Sequence, residues 1–377
     1  MHLGAGLARS FRRAAWRAGL IADRTRSAAR HVERVLDTHG RESFERSGVP
    51  GLAVVVRFAE GRTITRCFGV AGGATPMRVD AVVPALSLSK PVTAMCAMAL
   101  VDRKELSLDE PVWRRMRSFS FPAHRTGGFD PDGITLRRLL SHGAGLSVPL
   151  HGLSEDGRRL TPKELIEREP DEAHTLRLVD APGTTLRYSG GGYSLVEQLI
   201  EDATGVPFAR VARERVLRPL GMNDSDYELT PDLAARLATP HDGENLPMAQ
   251  RRQASTAASG LYSTAHDLAV FWSSLVPGSA GEPAGRGVIS PESCREMLTP
   301  QVVGADGTVC GLGFYLRPKR SDLGYAHLGF FGGWNHHAAG FLRRRVALVA
   351  FSNGDRGRAC VSPLVRELSA TLYEWTL

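Results

Sequence analysis

Hydrophobic and polar positions divide the chain into four unequal stretches. Residues 9–38 are rich in Ala and Arg and read as helix, with Trp16, Leu20 and Ile21 available for one face. Pro50-Gly51 then opens two β-rich runs, Leu52–Phe58 and Thr63–Val70, and the Glu60-Gly61 pair between them predicts a hairpin. A long mixed stretch follows, with helical patterns at 91–103, 134–141, 162–168, 194–204, 206–217 and 265–275. The last hundred or so residues return to strands at 311–317, 323–328, 337–342 and 345–352, and a helix at about 362–375 closes the chain. There is no internal repeat and no low-complexity linker.

Strands at both ends with helices between them argue that the two ends combine. The pattern predicts an α+β fold: one antiparallel sheet flanked by helices, with a mostly helical lobe inserted between its halves. The expected division is a basic extension over 1–26 and one folding unit over 27–377. Within that unit, 27–80 and 256–377 form the sheet lobe and 81–255 the helical lobe. A small-molecule site is expected in the cleft between lobes.

Composition narrows the function classes. With 377 residues, 42% of them hydrophobic and 23% charged, the chain is neither a disordered tail nor a disulfide mini-protein. The net charge of +7 invites a nucleic-acid or membrane reading. Yet residues 1–40 hold eight Arg against Asp23, Glu33 and Asp37, so about five of the seven excess charges sit there. The first part reads as a solvated charged arm or, alternatively, a basic amphipathic helix lying on a membrane or partner. The body is near neutral, without a basic stripe interleaved with aromatics, so no nucleic-acid partner is expected.

Five scattered cysteines, never spaced C-x-x-C, suit a reduced compartment and a buried apolar role. Arg17 interrupts the only apolar stretch that could follow the Arg12-Arg13 pair as an export signal, and no run approaches membrane-spanning length. A cytoplasmic location is the expectation, and no cofactor and no metal is called for. His336 and His337 are adjacent, and neighbours on a strand point to opposite faces.

The sequence lacks G-x-S-x-G, G-x-x-x-x-G-K-[ST], H-E-x-x-H and a complete G-x-G-x-x-G. What it has is one S-x-x-K, Ser87-Leu88-Ser89-Lys90. Lysine is scarce, with four in all against 27 serines, so chance alone supplies roughly 0.3 such matches. Context sharpens the tetrapeptide. Asp80–Leu86 leads in as an extended run, Pro91 falls in the first helical turn, and Val92–Val101 is apolar nearly all round. Ser87 and Lys90, at i and i+3, then share a helix face. Lys90 activates the hydroxyl electrostatically, or serves as its base if burial lowers its pKa. The plainer reading makes Ser87 an N-cap and Lys90 a surface charge.

From Pro50 onward, the chain resembles the class C β-lactamase-like serine hydrolases, which include penicillin-binding DD-peptidases and serine esterases. The resemblance is carried by Ala85–Ala94 (ALSLSKPVTA), Leu106–Val112 (LSLDEPV), Ile134–Leu146 (ITLRRLLSHGAGL), Pro182–Tyr193 (PGTTLRYSGGGY), Pro219–Met222, Ser259–Leu268 (SGLYSTAHDL) and Gly311–Phe314. It implies a β-lactamase/DD-peptidase-like fold. It also implies Ser87 as nucleophile, Lys90 as its activating partner and Tyr188 as the second-motif tyrosine. His327-Leu328-Gly329 matches the third motif, with Gly329 admitting substrate to the strand backbone and the N–H of Phe330 joining that of Ser87 as oxyanion donor. Tyr188 and His327 are otherwise core residues.

Two positions depart from the pattern. Gly190 stands where the second motif often ends in Asn, and His327 where lactamases carry Lys. Both point away from an efficient β-lactamase or DD-peptidase. Phe314, Tyr315, Phe330, Phe331 and Trp334 are expected to line the cleft for an apolar group. The expectation is a serine hydrolase forming an acyl-enzyme on a small-molecule ester or amide. The alternatives are an acyltransferase of natural-product assembly, a β-lactamase or DD-peptidase, and a catalytically dead binding protein.

Overall fold

The computed structural model describes residues 27–148, 160–169, 171–319 and 322–374. Trp16, Leu20, Ile21 and most of the expected 9–38 helix lie outside them. The described part of that helix, α1, runs from 27 to 35, through a π-turn at Leu36–Gly40, into Arg41–Ser47. It ends on Gly48, whose φ of 62° is the left-handed geometry that closes a helix.

Among the described residues, nine strands form one antiparallel sheet. They are β1 (Gly51–Phe58), β2 (Thr63–Gly72), β3 (Thr75–Pro76), β6 (Val302–Val303), β7 (Val309–Cys310), β8 (Tyr315–Pro318), β9 (Leu323–Phe331), β10 (Trp334–Phe341) and β11 (Val346–Ser352). Their spatial order is β3-β2-β1-β11-β10-β9-β8-β7-β6, so the two ends of the chain meet where β1 pairs with β11, Val54 opposite Ala350. A two-stranded piece, β4 (Val83–Pro84) with β5 (Tyr262–Ser263), lies apart.

Both sheet faces are covered, which explains why β1 and β11 are apolar without alternation. On the inner face Ala53, Val55, Ala347, Val349 and Tyr325 join the cluster that extends into the helices. On the outer face Leu52, Val54, Val56, Leu348 and Ala350 pack against α1 and the last helix, α11 (Gly357–Glu374). At the centre lies α2 (Ser89–Asp102), buried from Ser89 to Leu100 and preceded by a 3₁₀ turn at Leu86–Leu88.

The other helices are α3 (Leu136–Leu140), α4 (Pro162–Glu167), α5 (Gly190–Thr204), α6 (Phe208–Ala212, continued by a π-turn over Arg213–Leu217), α7 (Pro231–Ala234), α8 (Thr256–Ser259), α9 (Ala265–Ser274) and α10 (Pro291–Met297). Three expectations need correction. Helix α5 starts at Gly190, not 194, because Ser189 caps it and the Gly191 N–H bonds to Val148 O. The strand expected over 311–317 begins only at Tyr315. Gly313 has φ +85° and donates to Leu140 O, and a Cβ there would meet Ala94 Cβ at 2.7 Å. Helix α11 starts at Gly357, not 362, and carries Pro363 within it.

Candidate active site

Ser87 lies in the 3₁₀ turn that feeds α2. Leu86, just before it, has φ +52°, a left-handed conformation that costs a branched residue roughly 1 kcal/mol and persists only when neighbours enforce it. They do so here. Ala85 N donates to Leu261 O, Ser89 Oγ donates to Leu86 O, and His336 Nε2 donates to Pro84 O at 3.0 Å.

One turn on, Lys90 is 1% exposed. Its Nζ donates to Ser87 Oγ at 3.2 Å and to Ala258 O at 2.9 Å. Helix α8 thus supplies a backbone acceptor that holds the amine beside the serine. Tyr188 Oη lies 2.8 Å from Ser87 Oγ, and Lys90 Nζ sits 4.9 Å from the centre of the Tyr188 ring. Ser87 and Tyr188 are half-buried, so the two oxygens meet at an accessible place while the amine does not. Ser87, Lys90 and Tyr188 therefore converge as the sequence leads one to expect.

Tyr188 is held from one side by His142. Arg187 N donates to His142 O at 2.8 Å and Ser189 N to His142 Nδ1 at 3.1 Å, bracketing the tyrosine between two bonds to one residue. The two rings lie 4.4 Å apart. Burial, then the nearby Lys90 charge, push the His142 pKa well below its ordinary value. It is a neutral ring that accepts at Nδ1. Sequence reasoning passes over His142, although it stands inside the quoted LLSHGAGL stretch.

His327 approaches from the sheet, its ring 6.4 Å from that of Tyr188 and 5.3 Å from that of Tyr315. Its Nδ1–H donates to Leu328 O at 2.8 Å, leaving Nε2 as an acceptor. Burial and Lys90 push its pKa down to about 3, so it is neutral near pH 7. Two residues on, Gly329 lies against the nucleophile segment. A Cβ there would stand 2.7 Å from Ala85 O and 3.3 Å from Leu86 Cβ. Only glycine lets β9 approach so closely.

The backbone of β9 has its own logic. Gly332 and Gly333 have φ of 47° and 82° and close β9 and β10 with a two-residue turn. In such a hairpin Phe331 and Trp334 exchange both hydrogen bonds, and bonded pairs alternate from there. His327 and Gly329 accordingly turn their N–H groups toward β10, while Leu328 and Phe330 turn theirs to the other edge. Strand β8 covers that edge only as far as Ala326, opposite Tyr315. The N–H of Phe330 thus lies on an open edge beside Ala85 and Leu86.

Its ring does not follow. Phe330 alternates with Gly329, so its side chain stands on the outer face, 63% exposed, away from Ser87. Phe314 packs against Trp272 and Tyr325, and Trp334 against His336, both in the core. Of the aromatics expected to line the cleft, Tyr315 borders His327. His336 and His337 do face opposite sides of the sheet, His337 toward α11.

The model of the family described as Beta-lactamase matches residues 28–368. The chain belongs to that family. The chain is 27% identical over 236 residues to the D-alanyl-D-alanine-carboxypeptidase/endopeptidase AmpH of Escherichia coli, covering 62% of this chain and 59% of AmpH. Esterase EstB of Burkholderia gladioli is 34% identical over 236 residues, covering 60% and 58%. Monacolin J acid methylbutanoyltransferase of Aspergillus terreus is 29% identical over 227 residues, covering 54% of each. The chain thus spans under two thirds of the length of these relatives. Among solved structures, a beta-lactamase/D-alanine carboxypeptidase from Pseudomonas syringae superposes with a TM-score of 0.75 at 17% identity, over 90% of this chain and 99% of the other. The β-lactamase/DD-peptidase fold follows. No described helix is long and apolar enough to cross a membrane.

Proposed function

We propose that the protein is a serine hydrolase that forms an acyl-enzyme at Ser87 on an ester or amide of a small molecule. The observation that carries this is the meeting of Ser87 Oγ with both Tyr188 Oη and Lys90 Nζ. Tyr188, as the phenolate beside the Lys90 ammonium, takes the Ser87 proton as Oγ attacks the substrate carbonyl carbon. Lys90, fixed by Ala258 O, steadies the negative charge that builds on the two oxygens. The carbonyl oxygen becomes an oxyanion facing the N–H of Ser87 at the start of α2 and the open-edge N–H of Phe330. The intermediate collapses, the bond to the alcohol or amine breaks, and the leaving group takes the proton back from Tyr188. Water repeats the sequence to release the acid and restore the Ser87 hydroxyl.

Esters fit better than β-lactams. Neutral His327 offers no cation to a β-lactam carboxylate, and Gly190 offers no side-chain amide to an acylamide. Esterase EstB favours the same side. A second reading keeps the acyl-enzyme and passes it to an alcohol or amine, and the Aspergillus methylbutanoyltransferase supports it. Fluorophosphonate labelling and a p-nitrophenyl ester burst test the first reading, and wild-type turnover by Ser87→Ala overturns it. Partition of the acyl group between water and an added alcohol separates the second.

A further inference from the structure

On the far side of the sheet from Ser87, a cavity of about 460 Å³ opens between β8–β10 and helix α11. Its volume falls in the range of roughly 300–1,000 Å³ typical of small-molecule sites. The floor is apolar, built from Leu328, Phe330, Phe341, Val361 and Val365. Phe330, at 63%, is the most exposed of the large hydrophobic side chains on the described surface, and Leu328 is also exposed. Such side chains grouped in one concavity mark a binding surface.

The rim is cationic. Arg317 and Lys319 border it from the end of β8, and Arg358 and Arg366 from α11, whose lining positions recur every three or four residues as one helix face. Among the described residues, no Asp or Glu lines the cavity, and Arg317, Arg358 and Arg366 have no carboxylate partner. His337 also borders the space, and its Nδ1 is buried without a hydrogen-bond partner. Such an atom is unfavourable in a buried place until a ligand atom satisfies it.

We propose that this cavity binds a free single-chain amphiphile with an anionic head group, its tail along Leu328, Phe330 and Val365 and its head among the arginines. The sign of the rim selects this occupant over the chain's own arginine-rich first residues, which would bring like charges together.

Calorimetric titration of the full chain carrying Ser87→Ala, with sodium dodecanoate below its micellar concentration, tests the proposal. One saturable site is expected, with no saturable heat from dodecyltrimethylammonium. The exposed pair Arg358→Gln with Arg366→Gln raises the dissociation constant at least tenfold, and Ser369→Trp, which fills the cavity, abolishes binding. The double variant with Ser87 intact turns over ester at the wild-type rate, which keeps this site distinct from the reaction centre. The proposal is overturned by absent dodecanoate binding, by equal affinity for the cationic analogue, or by unchanged affinity in the arginine pair. Binding confined to phosphatidylcholine–phosphatidylglycerol vesicles also overturns it. A melting temperature matching the parent shows that the arginine pair is folded and decides the outcome even if Ser369→Trp does not fold.

Discussion

The phenol oxygen of Tyr188 stands 2.8 Å from the hydroxyl of Ser87, across 101 positions of sequence. If this pair transfers the proton, Tyr188→Phe removes the acceptor while keeping the ring. Turnover of a p-nitrophenyl ester is expected to fall about 10²–10⁴-fold in kcat, with KM little changed. Tyr188 is half-buried, so the melting temperature stays near that of the parent. Stopped-flow measurement of the acylation burst checks this, and an unchanged burst rate removes Tyr188 from the reaction.

Lys90 carries two roles that a substitution separates. Lys90→Met fills nearly the same volume without the charge. It leaves Ala258 O unpaired in a buried place, a loss of about 1–3 kcal/mol. Both activity and thermal stability fall. Lys90→Arg restores a cation but not a compact one, and the 1% exposure leaves no room for a guanidinium. Neither variant recovers ester turnover, and parallel calorimetry and burst kinetics read the two losses independently.

Gly329 sets the distance between β9 and the nucleophile turn. Gly329→Ala places a methyl 2.7 Å from Ala85 O, a backbone atom that cannot swing aside. Strand β9 is pushed back and Phe330 N–H with it. Overpacking of this kind costs about 1–3 kcal/mol. A lower denaturation midpoint together with a kcat loss exceeding that of Tyr315→Phe is the expected pattern.

Much of this site is legible in the sequence because side-chain chemistry marks it. Ser87 and Lys90 stand out through helical spacing and the scarcity of lysine, Tyr188 and His327 through motif resemblance. The missing parts lack such marks. Ala258 contributes a carbonyl, which every residue has, so nothing in its identity points to Lys90. His142 acts through both its main chain and its ring, and nothing in a lone histidine beside glycine marks either contact. The sequence puts Phe330 in the cleft whole, but strand alternation sends its N–H to one place and its ring to another. Gly190 to Gly192 discourage a helix by propensity, and the Ser189 cap and the Val148 carbonyl override them. The hairpin and β11 need no such context, since their apolar runs admit little else.

His142 acts as a positioning residue that keeps Tyr188 in register. His142→Asn retains an acceptor near Ser189 N–H, whereas His142→Ala removes it along with the ring contact at 4.4 Å. The alanine variant is expected to lose at least tenfold in kcat with KM nearly constant, and the asparagine variant to recover part of it. A purely structural role instead lowers both variants' stability in proportion to activity. Comparing kcat, KM and melting temperature across the pair separates the two.

Stability as a function of pH follows from the buried imidazoles. Burial pushes His336 and His337 down to about 4, and burial with Lys90 pushes His327 down to about 3. In the unfolded chain these rings titrate near 6.5. Below that pH the unfolded state binds protons that the folded state refuses, so acid favours unfolding. The stabilisation is complete above about pH 6.5 and drains away as pH falls through 5 toward 4 and 3. His336→Gln, whose ring otherwise donates to Pro84 O inside the core, removes one such proton from the balance. Its stability at pH 7 is lower, because Pro84 O and the packing around it are disturbed. Its decline between about pH 6.5 and 4.5 is shallower than that of the parent, by up to about 1.4 kcal/mol per pH unit. Urea midpoints measured across that interval check the slope, and parallel curves for parent and variant contradict the assignment of a neutral buried His336.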